Sequence, residues 1–206
     1  MKVILLNGSP RGKQCTYTAL EVIANRLKEH GVDSEIINVG AKAVAGCIGC
    51  ASCVSAGKCF VDDGVNEFVE KMRTADGLIV GSPVHYAGAS GHVTSFLDRA
   101  FYSGSSAMQG KPGAAIVSCR RGGASAAFDQ LNKYFTISNM PIISSNYWNQ
   151  VHGNTPEEVL RDEEGIQTME ILADNMAWIL KCIQAGKDAG IELPQRPAKI
   201  KTNYIR

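Results

Sequence analysis

Lys2-Val3-Ile4-Leu5-Leu6-Asn7-Gly8-Ser9-Pro10-Arg11-Gly12-Lys13-Gln14-Cys15-Thr16-Tyr17-Thr18 opens the chain with an apolar run, a turn-rich loop and the start of a helix. Residues 2–6 read as a strand buried on both faces, because the run is continuously apolar rather than alternating. Leu20, Ile23, Ala24 and Leu27 then recur at helical spacing, and Gly31 closes that helix. The same unit repeats outward along the chain. Residues 34–39, 78–81, 114–118 and 142–145 are predicted as four further strands. Val65, Phe68, Val69 and Met72 mark one intervening helix. Val93, Phe96, Leu97, Ala100 and Phe101 mark the next, and Ala124, Phe128, Leu131 and Phe135 the one after. A last helix from about Gly165 carries Met169, Leu172, Ala173, Met176, Leu180 and Ile183 as its buried stripe.

Continuous apolar strands alternating with helices imply a parallel sheet covered on both faces. Five strands suit a flavodoxin-like α/β three-layer sandwich of order 2-1-3-4-5, in which ligands sit beyond the carboxyl ends of the strands at the switch point. The loops after strands one, three and four therefore converge on one site. We expect one domain over residues 1–185, with a cysteine-rich insertion at 46–60, and a tail at 186–206. The tail holds Pro194, Pro197, Lys199, Lys201 and Tyr204 and reads as a surface segment or as an arm to a neighbouring subunit.

The formal net charge of +1, without any Lys/Arg block, gives no case for a nucleic-acid or acidic-membrane partner. No run approaches the ~20 apolar residues of a membrane span. Seven cysteines, an odd count, without a secretion signal point to a cytoplasmic protein with reduced thiols.

The loop after strand one is neither a Walker loop nor a G-x-G-x-x-G fingerprint. Its hydroxyls at Ser9, Thr16 and Thr18, with Arg11 beside them, suit a phosphate at a helix N-terminus. Read blandly, it is a strand–helix loop with a capping Thr. After strand three, Gly81-Ser82-Pro83-Val84-His85-Tyr86-Ala87-Gly88-Ala89-Ser90-Gly91 sets a Pro and an aromatic pair among small residues, a shelf for a flat ring. Strand four ends in Ser118-Cys119-Arg120-Arg121-Gly122-Gly123, where Gly122 and Gly123 let backbone N–H groups approach a ligand and Arg120 stands close. Such donors would stabilise the charge that a flavin's pyrimidine edge gains on reduction. Packed strand ends are the plain alternative for His85 and Tyr86.

Gly8-Ser9-Pro10-Arg11, Gly81-Ser82-Pro83-Val84-His85-Tyr86, Ser90-Gly91 and Phe96-Leu97-Asp98-Arg99 resemble the signatures of the NADPH-dependent FMN reductase family over roughly residues 1–185. The resemblance implies FMN, with Ser9, Arg11, Thr16 and Thr18 around its phosphate and Pro83, Val84, His85 and Tyr86 along its ring. Gln14-Cys15-Thr16 stands where many members carry Gly-Asn-Thr, so Cys15 would serve through its backbone N–H. The segment Asn146-Tyr147-Trp148-Asn149 with His152-Gly153 resembles a loop of many bacterial members. It would cover the flavin, seal a subunit interface, or lie free on the surface.

Cys47, Cys50, Cys53 and Cys59 give the spacing C-x2-C-x2-C-x5-C, which suits a compact cluster closed by a fourth ligand. The pattern resembles the motif of the iron-sulfur flavoproteins of the same superfamily, and implies a [4Fe–4S] cluster. Zinc and bare thiols are the rivals, although structural zinc usually takes two separated pairs. Cys15, Cys119 and Cys182 read as ordinary loop and helix cysteines.

The resulting expectation is an FMN-dependent oxidoreductase moving electrons from NAD(P)H to a small acceptor such as a quinone or free flavin. His85 or Tyr86 would assist proton delivery, and the protein would form a homodimer or homotetramer. The alternative is an electron carrier relaying between ferredoxin-like partners and FMN through the cluster.

Overall fold

A computed structural model describes residues 1–198 and 200–202; Lys199 and Tyr204 of the expected tail lie outside the described residues. The elements run β1 (Lys2–Asn7), α1 (Cys15–Glu29), β2 (Asp33–Asn38), α2 (Ser52–Ala56), α3 (Val65–Thr74), β3 (Gly77–His85) and β4 (Gly88–Ala89). They continue with α4 (Gly91–Ser103), α5 (Ser105–Met108), β5 (Gly113–Cys119), α6 (Ala124–Ile137), β6 (Gln150–His152), α7 (Pro156–Val159) and α8 (Glu163–Asp188). The sheet order is β2-β1-β3-β5-β6, all parallel, with β4 folded back antiparallel on β3. Without that two-residue strand, the order is the flavodoxin-like 2-1-3-4-5.

The continuous apolar strands are explained by two separate cores. Ile4, Leu6, Leu78, Val80, Ala115 and Val117 face α3, α4 and α6, while Val3, Leu5, Ile79, Ala114 and Ile116 face α1 and α8. Successive residues point to opposite faces, so a strand covered on both sides must be apolar at every position. Phe68 fills the first core with its ring edge on Phe96, centroids 5.3 Å apart. Burying each such large side chain contributes about 1.5–3 kcal/mol. The Ile183 expected in the buried stripe of α8 is only half-buried.

The expected fifth strand at 142–145 is corrected. Ile142 makes a single bridge to Gly113, and regular pairing resumes only where Gln150–His152 lie along Val117–Cys119. The edge strand is therefore split in two. Between its halves the Asn149 side chain, 1% exposed, donates from Nδ2 to the Ala115 carbonyl at 3.0 Å, and its Oδ1 accepts from the Ser145 hydroxyl. One side chain thus replaces a missing ladder bond on β5.

Helices α1 and α8 are tied across their surface by Asp174. Its carboxylate accepts from Arg26 Nε at 2.6 Å and Arg26 Nη2 at 3.1 Å, and lies 2.6 Å from His30 Nε2. Hydrogen bonding from Arg26 holds this carboxyl below its ordinary value. A depressed carboxylate contributes stability that is present above its unfolded value, near pH 3.9, and lost as pH falls through the folded one. Asp174→Asn should therefore lower Tm by about 2 °C at pH 7. In thermal melts against pH, the gap to the unaltered protein should close below about pH 4.

Candidate functional site

The site grows from Asn7, the fully buried last residue of β1. Its Nδ2 donates to Gly12 O at 3.0 Å and Asn38 Oδ1 at 2.8 Å, while its Oδ1 accepts from Ser9 N at 3.1 Å. One amide thus folds the loop back over β1, and the Ser9 hydroxyl tightens it by accepting from Arg11 N at 3.3 Å. Helix α1 then starts without a side-chain cap and without an acidic residue in its first turn. The N–H groups of Cys15, Thr16 and Tyr17 have no acceptor among the described residues. Three unpaired donors on a helix dipole, with Arg11 and Lys13 exposed beside them, fit an anion.

Side chains weld this loop to its neighbours. Gly8 N donates to Gly81 O at 2.8 Å, and Ser90, the N-cap of α4, donates through its hydroxyl to Gly8 O at 2.7 Å. Thr16 Oγ1 and Ser118 Oγ lie 2.8 Å apart, joining the first loop to the end of β5. The Thr18 hydroxyl is turned onto Gln14 O at 3.3 Å, back along its own helix. Cys15 points its thiol at Gly153 O, 3.6 Å away, and burial pushes that thiol up. Of its donors, the backbone N–H is the one left without an acceptor among the described residues.

At the end of β3 the chain makes a two-residue turn into β4. Tyr86 (φ 50°) and Ala87 (φ 59°) are both left-handed, the arrangement of a type I′ turn that Gly and Asn favour. Pro83 and Val84 are half-buried, His85 is exposed, and Tyr86 is fully exposed at the tip. Gln130 of α6 pins the hairpin by accepting from Ala89 N at 2.9 Å. The third loop closes against it: a Cβ at Gly123 would stand 2.8 Å from Ala87 Cα, whereas Gly122 has open space beside it. Arg120 is exposed at the same edge. Strained non-glycine residues persist where surrounding structure over-determines them, commonly at ligand clamps. The αL penalty is about 1–2 kcal/mol and glycine's own entropy cost offsets part of it. Ala87→Gly should therefore raise Tm by about 2 °C in a calorimetric scan.

The expected phosphate and ring residues are thus brought to one end of the sheet. Asn7, Ser118 and Gln130 were missed as supports: polarity at a strand end was the only signal for Asn7 and Ser118, and Gln130 inside α6 had none. The segment at 146–149 stands outside, with Tyr147 and Trp148 about half-exposed and packed on each other at 4.7 Å. His152 belongs to β6, its Nδ1 3.4 Å from Cys119 Sγ. Burial pushes the Cys119 thiol up, which leaves it an inert partner.

The four-cysteine segment lies beside the second half of α4. Cys47 and Cys50 are exposed, and Cys53 and Cys59 are half-buried. All seven cysteines of the chain carry free thiols. The four line one apolar cavity of about 110 Å³ with Ile48, Phe60 and Tyr102. Among the described residues no three or more His, Cys, Asp or Glu side chains already surround a common point. The donor set and shared cavity fit a thiolate-bound centre.

The order of the sheet and the three loops converging at one end of it define a flavodoxin-like protein. Residues 1–155 match the family described as NADPH-dependent FMN reductase, and the chain belongs to that family. It is 32% identical over 193 residues to an iron-sulfur flavoprotein of Methanocaldococcus jannaschii, covering 89% of this chain and 100% of that one. It is 30% identical over 197 residues to an iron-sulfur flavoprotein of Methanosarcina thermophila, covering 91% and 100%. The fold is similar to that of FerB, a flavoenzyme NAD(P)H:(acceptor) oxidoreductase from Paracoccus denitrificans. That likeness has a TM-score of 0.67 at 16% identity, over 88% of this chain and 97% of that one. No helix among the described residues is long and apolar enough to cross a membrane.

Proposed function

We propose that this chain is an FMN-dependent oxidoreductase taking electrons from NADH or NADPH and passing them to a small acceptor such as a quinone or free flavin. The observation that carries the reading is the uncapped N-terminus of α1, opening beside the β3 hairpin and the loop after β5. Bound FMN would supply the electron chemistry, accepting a pair from a nicotinamide and releasing it to an acceptor. The chain binds and orients. The N–H groups of Cys15, Thr16 and Tyr17 would take the phosphate, with Ser9 and Thr16 shaping its seat and Arg11 adding charge. Pro83 to Tyr86 would back the ring, and backbone N–H groups of Arg120, Gly122 and Gly123 would meet its pyrimidine edge. His85 and Tyr86, exposed at the hairpin, would be the side chains to move a proton there. The test is steady-state oxidation of NADH and of NADPH by the flavin-loaded protein, with a quinone as acceptor. Quinone-dependent turnover with either nucleotide is expected; bound FMN without nicotinamide oxidation would contradict the reading.

A second reading is favoured by the four free thiols around one cavity and by the names of the two relatives. In it Cys47, Cys50, Cys53 and Cys59 hold a [4Fe–4S] cluster that exchanges single electrons with a ferredoxin-like partner. Anaerobic purification with iron, acid-labile sulfide and zinc assays separates this from a zinc site and from bare thiols.

A further inference from the structure

Arg99 lies on α4, 2% exposed, and takes no part in the flavin site. Its guanidinium forms the charged floor of the cysteine cavity. Nη1 donates to Asp63 Oδ2 at 2.5 Å and to Ala45 O at 3.2 Å. Nη2 donates to Asp63 Oδ1 at 2.7 Å and to Val61 O at 3.1 Å. Nε donates to Cys59 Sγ at 3.4 Å. One planar fork therefore holds the chain just before the first cysteine of the loop and just after the last. Among the described residues lining the cavity it is the one charged side chain. Asn66 adds a second anchor at the same cysteine, accepting from Cys59 N and donating to Cys59 O, both at 2.9 Å.

A plain tie between α4 and the start of α3 needs only the bidentate Asp63 pair. It does not need the third edge of the guanidinium turned onto a sulfur, nor two carbonyls gathered from opposite ends of the loop. Cys59 is thus the preset member of the four, while Cys47 and Cys50 stand exposed. Outer-shell donors of this kind orient a ligand and tune the centre it binds. A hydrogen bond and a fixed positive charge at a ligating sulfur favour the reduced, more negative form of an iron-sulfur centre. Lysine could keep the charge but not the fork.

Resting on the cluster reading, we propose that Arg99 is the positioning residue of the metal centre: it fixes Cys59 for ligation, joins both ends of the loop, and raises the centre's midpoint potential through its Nε–H. The test compares the anaerobically purified, FMN-containing protein with Arg99→Lys and Asp63→Asn. Iron and sulfide per chain, iron release to a chelator, redox titration of the centre with dithionite, and FMN content would be measured on each. Arg99→Lys is expected to keep its FMN, to release iron about ten- to hundredfold faster, and to show a more negative midpoint potential. Asp63→Asn, which spares the Nε–H donor, should release iron faster with a smaller shift in potential. A folded Arg99→Lys with unaltered potential and iron release overturns the proposal. If Arg99→Lys loses its FMN and fails to fold, Asp63→Asn decides, and unaltered iron release there overturns it. Unaltered protein lacking both iron and sulfide overturns the cluster reading and this proposal with it. Iron-replete protein with indifferent variants overturns this proposal alone.

Discussion

Gly8→Ala is expected to purify with less than about a tenth of the normal flavin and to unfold about 6–12 °C lower, from an overpacking cost of about 3 kcal/mol. A Cβ at this position would stand 2.5 Å from Val93 Cβ, 2.6 Å from Val93 Cγ2 and 2.9 Å from Gly81 O. None of these can yield cheaply. Val93 is fully buried in the first turn of α4, and Gly81 O accepts the Gly8 N–H. Displacing Gly8 would also break its carbonyl's bond to Ser90, which in turn caps α4 through Val93 N at 3.3 Å. The loop after β1, strand β3 and helix α4 would part at one point. Gly31→Ala is the control. Gly31 has φ 73° and open space around it, so Ala there should cost about 1 kcal/mol of strain while FMN stays bound. Flavin content and thermal melts on the two variants separate lost binding from lost stability.

On the cluster reading, replacing Cys47, Cys50, Cys53 and Cys59 together with Ser should remove iron and sulfide while leaving FMN per chain unchanged. The two sites share α4 but occupy different parts of it. Ser90 caps its start, whereas Arg99 meets the cysteine cavity about 12 Å further along the axis. Two of the thiols are exposed and none fills the core, so the fold should tolerate all four changes. On the oxidoreductase reading, nicotinamide-to-quinone turnover should persist, because that route would need only the flavin. On the same cluster reading, reduction of the flavin by a one-electron protein donor should slow markedly. Anaerobic stopped-flow traces with each donor provide the measurement. A variant that keeps its rate with the protein donor would leave the cysteines no part in electron entry.

Much of the fold was legible because β1, β3 and β5 are covered on both faces and so carry apolar side chains at every position. The edge strand was misread for the opposite reason. Ile142 and Ile143 look like strand residues yet make one bridge, while Gln150-Val151-His152 pairs regularly with a single apolar residue. A split repaired by the Asn149 amide leaves no periodic signal. The β3–β4 hairpin was also hidden, since Tyr86-Ala87 lacks the Asn-Gly chemistry that announces such a turn. The cysteine spacing was plain, but spacing says nothing about what supports a loop. Arg99 belonged to a recognisable motif, and only the folded chain shows its guanidinium reaching Ala45, Val61, Asp63 and Cys59 together.

Paired titrations of flavin-free protein with FMN and with riboflavin test directly whether the uncapped start of α1 seats a phosphate. Two charge-assisted contacts from that helix end, at about 1.5–3 kcal/mol each, predict FMN binding at least about a hundredfold tighter than riboflavin. Equal affinities for the two would contradict it.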